Sequence, residues 1–280
     1  MTDEERLTPI RRILVALDVS EPSLKALAEA CALAELLDAE LTGLFIEDIN
    51  LLRLAGLPFA QEVSAILAGA RRLVAGDMER ALRAQASRAQ RALAEQAGRR
   101  QVRWSFRVMR GQVAAQMLEA ALETDLLALG LAAVEVARRA PLGATVREVV
   151  RGATRPVLLL PPGAGPRPPV LVDYAGGARA ARALDLARYL AQESDGGLVV
   201  LISAADPKEA KRLEQEAADR AAPGTELRFR RIGTDSASLS RAVRAEAAGT
   251  LVLAGREARA HEELIPKLLE DNRCAVLLVP

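Results

Sequence analysis

Short apolar runs alternate with longer Ala-rich segments along the whole chain. The runs are bounded by Gly, Pro and Asp, and they place hydrophobic side chains at consecutive positions, as in Leu126–Leu129 and Leu251–Ala254. Consecutive apolar residues are typical of strands that helices cover on both faces. The alternation therefore predicts βαβ units and a mostly parallel sheet.

The order of apolar runs is repeated in the two halves of the chain. The first half begins with Ile13–Asp18 and the second with Val170–Asp173, and each run ends in a carboxylate. Each half closes on two matching runs, at 126–130 and 156–161, and at 251–255 and 275–280. The repeat predicts two domains of one α/β fold, each a five-stranded, mostly parallel sheet with helices on both faces.

The predicted elements follow the same order in both halves. First-half strands are expected near 12–17, 40–46, 102–109, 126–129 and 156–160, with helices near 22–37, 76–98, 112–123 and 144–153. Second-half strands are expected near 169–173, 197–203, 226–231, 250–254 and 275–279, with helices near 178–193, 207–221, 236–248 and 260–271.

A Pro- and Gly-rich stretch separates the halves. It can form neither a helix nor a central strand, and its Pro content predicts a semi-rigid linker. We place the first domain at 1–162, the linker at 163–169 and the second domain at 170–280. The C-terminal strand ends at Pro280, which is consistent with an edge strand that joins its equivalent at 156–160 in an intramolecular pseudo-dimer.

One segment, about 49–75, has no counterpart in the second half. It is rich in leucine, including Leu51, Leu52 and Leu54. Such an insertion would either cap its own domain or cover a partner subunit. We favour the interface, because an insertion that only completed a core would be needed in both copies.

Composition narrows the function classes. Half of the residues are apolar, only 2% are aromatic, and the formal net charge is +1, so nothing indicates a nucleic-acid partner. The acidic, polar N-terminus is unlike a signal peptide, and no apolar stretch reaches the roughly 20 residues of a membrane span. Cys31 and Cys274 lie in different halves and outside any metal-binding motif. A cytoplasmic protein without a membrane partner is expected.

Other candidate features have structural explanations. Residues 71–110 are dense in arginine, but with few aromatics they are more typical of a solvated helix face than of a nucleic-acid surface. Trp104 and Phe106 share one face of a strand and are expected in the core or at a domain interface. His261, the only histidine, sits beside acids at a predicted helix start, as surface histidines often do. Metal and P-loop motifs are absent.

Ligands of doubly wound sheets bind beyond the carboxyl ends of the strands, where strand order reverses. Asp18 and Asp173 both follow a first strand, where a carboxylate can accept hydrogen bonds from a ligand or cap the next helix; without a family to compare, the cap is favoured. Gly130 follows the fourth strand, and 143–145 starts a helix. Small residues and a helix N-terminus can form a phosphate cradle, although steric needs alone also explain such turns.

The chain resembles a tandem universal stress protein over nearly its whole length. The resemblance is carried by the segments Ile13–Glu21 and Glu40–Asp48, by Arg110-Gly111 before a helix, and by the order and spacing of 126–161. It implies the domain fold described above and dimerisation through the last strand. It also implies a nucleotide site in which a Gly-x2-Gly-x9-Gly-Ser/Thr motif holds the phosphates.

Only part of that motif is present here. The first and third glycines fall on Gly130 and Gly143, but the second falls on Ala133 and the hydroxyl position on Ala144, with Thr145 displaced by one. The family's nucleoside contacts fall on Asp18 and, through the backbone, on Ile46. In the second half Gly255 keeps the first position and Asp173 the carboxylate, but the later motif residues are missing, so we interpret that site as lost.

Two functional hypotheses follow. The first is a regulatory stress-response protein that is not an enzyme, acts through protein contacts and binds nucleotide weakly or not at all. The alternative is an ATP- or AMP-binding protein that uses the first-domain site, with slow ATP hydrolysis as its one catalytic option. The sequence identifies neither a protein partner nor whether the whole chain forms a homodimer.

Overall fold

The computed structural model describes residues 9–55, 61–63, 70–72, 75–131, 142–194, 197–220, 227–255, 264–268 and 274–280. Its strands are β1 (Arg12–Ala16), β2 (Glu40–Asp48), β3 (Gln61–Val63), β4 (Ala70–Arg72), β5 (Trp104–Gly111), β6 (Leu126–Gly130), β7 (Val157–Leu160), β8 (Val170–Tyr174), β9 (Leu198–Ser203), β10 (Arg228–Ile232), β11 (Thr250–Ala254) and β12 (Ala275–Val279). Its helices are α1 (Glu21–Leu36), α2 (Ile49–Ala55), α3 (Ala75–Arg99), α4 (Val113–Ala121), α5 (Ala144–Gly152), α6 (Gly177–Glu193), α7 (Pro207–Arg220) and α8 (Ser236–Ala245), and 264–268 are also helical.

Ten of the described strands form one sheet, in the order β10-β9-β8-β11-β12-β7-β6-β1-β2-β5. Neighbouring strands are parallel except at the centre, where β12 and β7 run antiparallel. This antiparallel pair, called the seam below, divides the sheet into two five-stranded parallel units with the same internal strand order. The predicted fold class is confirmed, and the last strands join as expected. The domain bounds stay a prediction.

One row of paired residues crosses the sheet and relates the two units. At the seam Leu158 pairs with Leu277, and the pairing continues outward through equivalent residues on both sides. From one edge to the other the row reads Phe106, Gly43, Val15, Ala128, Leu158, Leu277, Val252, Val172, Val200 and Phe229. Because the row is symmetric about the seam, it shows which residues of the halves are equivalent.

Two hydrophobic cores lie on the two faces of the sheet. One is covered by α1, α3, α6 and α7, and the other by α4, α5, α8 and the helix at 264–268. Each core contains buried residues from both halves, such as Leu158 and Leu277 on the first face. The two units therefore share continuous cores across the seam.

The insertion contains structure that the sequence pattern did not predict. Residues 49–55 form α2, and β3 pairs with β4 as a separate two-stranded sheet. On α2, Leu52 packs against the core, whereas Leu51 and Leu54 are 41% and 49% exposed. Three-residue strands and a two-turn helix are too short to give a clear hydrophobic period.

Arg167 of the predicted linker contacts both halves of the chain. The Arg167 amide donates to Thr250 Oγ1 at 2.9 Å, and the Thr250 hydroxyl donates back to the Arg167 carbonyl at 2.9 Å. The Arg167 guanidinium also forms an ion pair with Glu29 on α1, at 3.2 Å. Thr250 is only 1% exposed, so its hydroxyl is buried, whereas Arg167 lies at the surface.

The arginine-rich stretch and the aromatic pair lie at the edge of the first half. Three α3 arginines, Arg80, Arg83 and Arg99, pair with acids one turn away, which is the pattern of a solvated helix face. Phe106 packs against the core as predicted, but the prediction is wrong for Trp104, which is 37% exposed on edge strand β5. His261 lies outside the described residues.

Candidate functional site

A cavity of about 350 Å³ lies at the topological switch point of the first half. Strand β1 is flanked by β2 on one side and by β6 on the other, so the chain leaves these carboxyl ends in opposite directions. Helix α1 follows β1 on one face of the sheet, and α5 covers the other face. Divergent connections open a crevice at such a point. We call this space the switch-point cavity.

Asp18 lies at its polar edge, in the turn between β1 and α1. Its Oδ1 accepts hydrogen bonds from the Ser20 amide at 2.9 Å and from the Ser20 hydroxyl at 2.5 Å. Ser20 in turn caps α1 by accepting from the Ser23 amide. The carboxylate therefore supports the helix start through Ser20. Asp18 combines the capping role favoured from the sequence with a place in the cavity wall.

The turn that carries Asp18 holds an unusual backbone conformation. Val19, between Asp18 and Ser20, has φ 64°. A β-branched residue is a clear outlier in the left-handed region. The equivalent residue of the second half, four positions beyond the symmetric row, is Gly176 with φ 81°. Glycine adopts positive φ without strain. Of the two equivalent turns, only the one beside the switch-point cavity is therefore strained, and backbone strain is common at functional sites.

The floor of the cavity is apolar. It is formed by the carboxyl ends of the strands and by facing residues of α4 and α5, and it includes Ala16, Leu44, Ile46, Met117, Leu129 and Val146. An apolar floor with a few polar groups at the rim is the usual composition of a small-ligand site. Ile46 thus lies where the sequence comparison placed it.

Gly130, at the end of β6, also lines the cavity. A Cβ atom at this position would lie 2.5 Å from the Pro22 carbonyl oxygen and 3.1 Å from Ala26 Cβ. The first turn of α1 therefore excludes any side chain here. This packing alone accounts for the glycine, so its agreement with a phosphate motif adds little to the case for nucleotide.

Only part of the expected phosphate cradle faces the cavity. Thr145 lines it, whereas Gly143 and Ala144 are exposed at the start of α5 and are not among its lining residues. Gly143 is the N-cap of α5 but supplies no side-chain bond. Ala133 lies outside the described residues.

The charge of the described lining is negative. It contains the carboxylates of Asp18 and Asp48 and no lysine or arginine. Burial alone would raise the pKa of Asp18, but hydrogen bonds from Ser20, Ser23 and the local backbone together outweigh it and hold the pKa below its ordinary value. Asp18 is therefore ionised at neutral pH. Asp48 Oδ1 accepts from the Asn50 amide at 2.8 Å.

Several lining residues were missed by the sequence reasoning. Asp48, Ser20 and Gln85 add polar atoms to the rim, and Leu51 brings the insertion to its edge. Asp48 ends β2 beside Asp18, so the rule that carboxyl ends of parallel strands meet at one edge would have found it. Gln85 comes from α3, and no local pattern indicates which face of that helix reaches the site.

The register corrects the comparison between the two halves. Ala16 and Asp173 each follow the symmetric row by one residue, so Asp173 is equivalent to Ala16, and Ala175 is equivalent to Asp18. By the same count the equivalent of Gly130 is Ala254, not Gly255. The sequence prediction that Asp173 follows its strand is wrong, because β8 continues to Tyr174.

In the second half a buried polar pair replaces part of the apolar floor. Asp173 accepts a short hydrogen bond from the Ser203 hydroxyl, and the two residues are 5% and 6% exposed. They are the equivalents of Ala16 and Ile46, which leave space in the first half. The second half therefore has Ala175 in place of the rim carboxylate and Ala254 in place of the strand-end glycine, and part of its floor is polar.

Neither redox nor metal chemistry is indicated by the described residues. Cys31 and Cys274 are both buried, and burial raises the pKa of each thiol to about 11, so neither forms a reactive thiolate at neutral pH. No group of three or more His, Cys, Asp or Glu side chains in the described ranges could hold a metal ion.

Comparison with known proteins decides the family. The model of the universal stress protein family matches residues 9–161, more than half of the chain. The chain belongs to the universal stress protein family. A comparison with curated proteins gave no match.

Solved structures support the same fold over the whole chain. A universal stress protein from Archaeoglobus fulgidus DSM 4304 superposes with a TM-score of 0.74 at 16% identity, covering 96% of this chain and 95% of that one. The cytoplasmic domain of a prokaryotic cation chloride cotransporter gives 0.55 at 14% identity, covering 96% and 95%. Within the described residues of this universal stress protein, every helix is too short or too polar to span a membrane.

Proposed function

We propose that this universal stress protein is a regulatory, non-catalytic member that acts through protein contacts and binds nucleotide weakly, at the switch-point cavity alone. The observation that carries the proposal is the negative lining: Asp18 and Asp48 face the space, and the described lining offers no cation. A triphosphate would be repelled there, whereas an uncharged ligand with hydrogen-bond donors would suit the carboxylates.

The insertion supports a role through contacts. Leu51 lines the switch-point cavity and is also 41% exposed, and Leu54 on the same helix is 49% exposed. Exposed leucines on a short helix beside a ligand site are suited to protein recognition. Occupancy of the cavity would therefore be sensed directly by the surface that contacts a partner.

Calorimetric titration of the full chain with ATP, AMP and adenosine tests the proposal. We expect ATP to bind in the millimolar range or more weakly, and adenosine to bind at least as well as ATP. Asp18→Asn should weaken adenosine binding, whereas Asp235→Asn, which changes a similar serine-bonded aspartate on α8, should not. Micromolar ATP binding would remove the proposal.

The alternative is an ATP- or AMP-binding protein, and a specific observation favours it: the cavity remains open next to Thr145 at the start of α5. Ala144→Ser restores the hydroxyl of the family motif at an exposed helix position. If phosphates approach α5, this variant should tighten ATP binding by about 0.5–1.5 kcal/mol, the value of one hydrogen bond. Unchanged ATP affinity would argue against the alternative.

The non-catalytic part is tested separately, by phosphate release from ATP. The two serine hydroxyls of the cavity are already engaged, since the Ser23 hydroxyl donates to the Ser20 carbonyl at 3.1 Å and the Ser20 hydroxyl donates to Asp18. We expect no release above the uncatalysed rate. Release that is lost in Thr145→Val would show slow hydrolysis at this site.

A further inference from the structure

A second cavity, of about 200 Å³, lies where the two halves meet at the seam. Residues of α5, β7 and the loop between them line one side, and residues of α6 and the end of β12 line the other. It shares no lining residue with the switch-point cavity. We call it the seam cavity.

Three arginines from different elements line the seam cavity: Arg151, Arg155 and Arg179. Many other described arginines face carboxylates, as Arg110 faces Glu47 and Arg220 faces Asp185. In the seam cavity, Arg155 donates to the Leu122 carbonyl at 3.3 Å and Arg179 to the Gly255 carbonyl at 3.3 Å. Among the described residues neither of these two forms an ion pair.

Among the described residues, the charges of Arg155 and Arg179 are left in excess beside the seam cavity. Arg182, one turn along α6 from Arg179, donates at 2.7 Å to a main-chain oxygen of Pro280, the last residue of the sequence, and so compensates the charge of its α-carboxylate. The carbonyls of Leu122 and Gly255 that Arg155 and Arg179 contact have no net charge, and one such bond uses one of the five donors of a guanidinium. Most donors of Arg155 and Arg179 therefore have no described protein partner, and the two charges add in a partly enclosed space. Such clusters attract anions.

The rest of the lining is apolar. Val157 and Leu278 are buried strand residues of the seam, and Val150 of α5 is partly buried beside them. The planar guanidinium groups of Arg155 and Arg179 suit the oxygens of an oxyanion, and the apolar residues between them suit a short carbon group attached to it. Carboxylates and phosphates both suit arginine, but a dianion compensates the excess charge better.

We propose that the seam cavity binds a small phosphate-type oxyanion, inorganic phosphate or a phosphate monoester, between Arg155 of the first half and Arg179 of the second. The anion would join the two halves at a point where no described carboxylate does so. The seam cavity shares no lining residue with the switch-point cavity, so the proposal stands even if no nucleotide binds there.

Isothermal titration with inorganic phosphate and with glycerol phosphate tests the site. We expect saturable binding of both probes, with the monoester binding more tightly if the apolar base contributes. Arg155→Gln and Arg179→Gln should each weaken binding roughly tenfold, as expected for loss of a charged hydrogen-bond donor. The matched control is Arg91→Gln on α3, which also removes an exposed arginine that donates to a backbone carbonyl; its affinity should equal that of the wild type.

Two further measurements keep the outcome clear. Arg179→Lys retains the charge but loses the planar fork, so its affinity should fall between those of the wild type and Arg179→Gln. Far-UV circular dichroism must show that the glutamine variants are folded at the titration temperature. An absence of binding to the wild type, or an equal loss in Arg91→Gln, would overturn the proposal. Asp18→Asn should bind phosphate normally, which separates this test from that of the proposed function.

Discussion

Glycines of this chain differ in whether their surroundings admit a side chain, and Gly130 is the one that bears on the site. Gly130→Ala should lower the free energy of unfolding by about 1–3 kcal/mol, the usual cost of overpacking, because the new methyl group would meet the Pro22 carbonyl. Gly98→Ala in α3 is the control: nothing lies within 4 Å of its Cβ, and the helix should gain about 0.5–1 kcal/mol. Urea denaturation measures both.

The capping serine sets the ionisation of Asp18. Since the folded-state pKa is below the unfolded value, this aspartate stabilises the fold above pH about 3.9, and the contribution is lost as the pH falls through the folded value. Ser20→Ala removes the hydroxyl bond, which lowers the pKa most, and keeps the bond from the backbone amide, so the Asp18 midpoint should rise in a carbon-detected NMR titration. The free energy of unfolding should fall by about 0.5–2 kcal/mol, the value of an N-cap.

The titration of Asp235 provides the internal reference for that experiment. Its pKa is also held down by a serine, Ser238, at the start of α8, but it lies far from Ser20 in the sequence and in a different half. Ser20→Ala should leave the Asp235 midpoint unchanged. A shift in both residues, or in neither, would contradict the local origin of the Asp18 pKa.

At the residue scale, the sequence predicted the first-half site only in part. Asp18, Ile46, Gly130 and Thr145 do meet in one cavity. Asp173 shows why a motif comparison fails without register. It ends an apolar run just as Asp18 does, yet it follows the symmetric row by one residue whereas Asp18 follows it by three, so Asp173 lies within its strand and is buried. Only cross-strand pairing reveals that Ala175 takes the place of Asp18.

At the scale of elements, the linker is held by one buried hydroxyl. Thr250→Val keeps the shape of the side chain but removes both of its hydrogen bonds to the Arg167 main chain. We expect a loss of about 1–3 kcal/mol of unfolding free energy, since each hydrogen bond contributes about 0.5–1.5 kcal/mol. Thr234→Val, at an exposed position, should change it by less than about 0.5 kcal/mol. An equal effect of both substitutions would mean that the linker bond contributes nothing.

The sequence predicted elements best where they are long and buried. Strands β1, β6, β11 and β12 begin and end within one residue of the expected positions, because apolar runs between Gly, Pro and Asp have clear ends. The insertion was harder, since α2 and the pairing of β3 with β4 depend on tertiary contacts. The helix expected at 260–271 is described only at 264–268.

At the scale of the molecule, the shared cores predict coupled unfolding of the halves. Leu277 in the second half is fully buried at the seam opposite Leu158. Leu277→Ala should cost about 2–5 kcal/mol, as buried leucine truncations do. The loss should be visible at Trp104, the only tryptophan, although it lies at the far edge of the first half.

The control for that experiment is Leu54→Ala, which truncates an exposed leucine of the first half. Its denaturation midpoint at Trp104 should stay within the range of surface substitutions, about 0.5 kcal/mol. If Leu277→Ala left the tryptophan midpoint unchanged while far-UV circular dichroism lost signal earlier, the halves would unfold independently and the continuous cores would not couple them.

One short helix borders both cavities. Thr145 and Val146, at the beginning of α5, line the first, and Val150 and Arg151, near its end, line the second. Six residues of helix span only about 9 Å, and a rod of that length moves as a unit. An occupant that tilts α5 at one end must alter the walls at the other. Each occupant would then change the affinity of the other by the same factor, as linkage requires. This nine-residue helix would couple binding at the switch-point cavity to binding at the seam cavity.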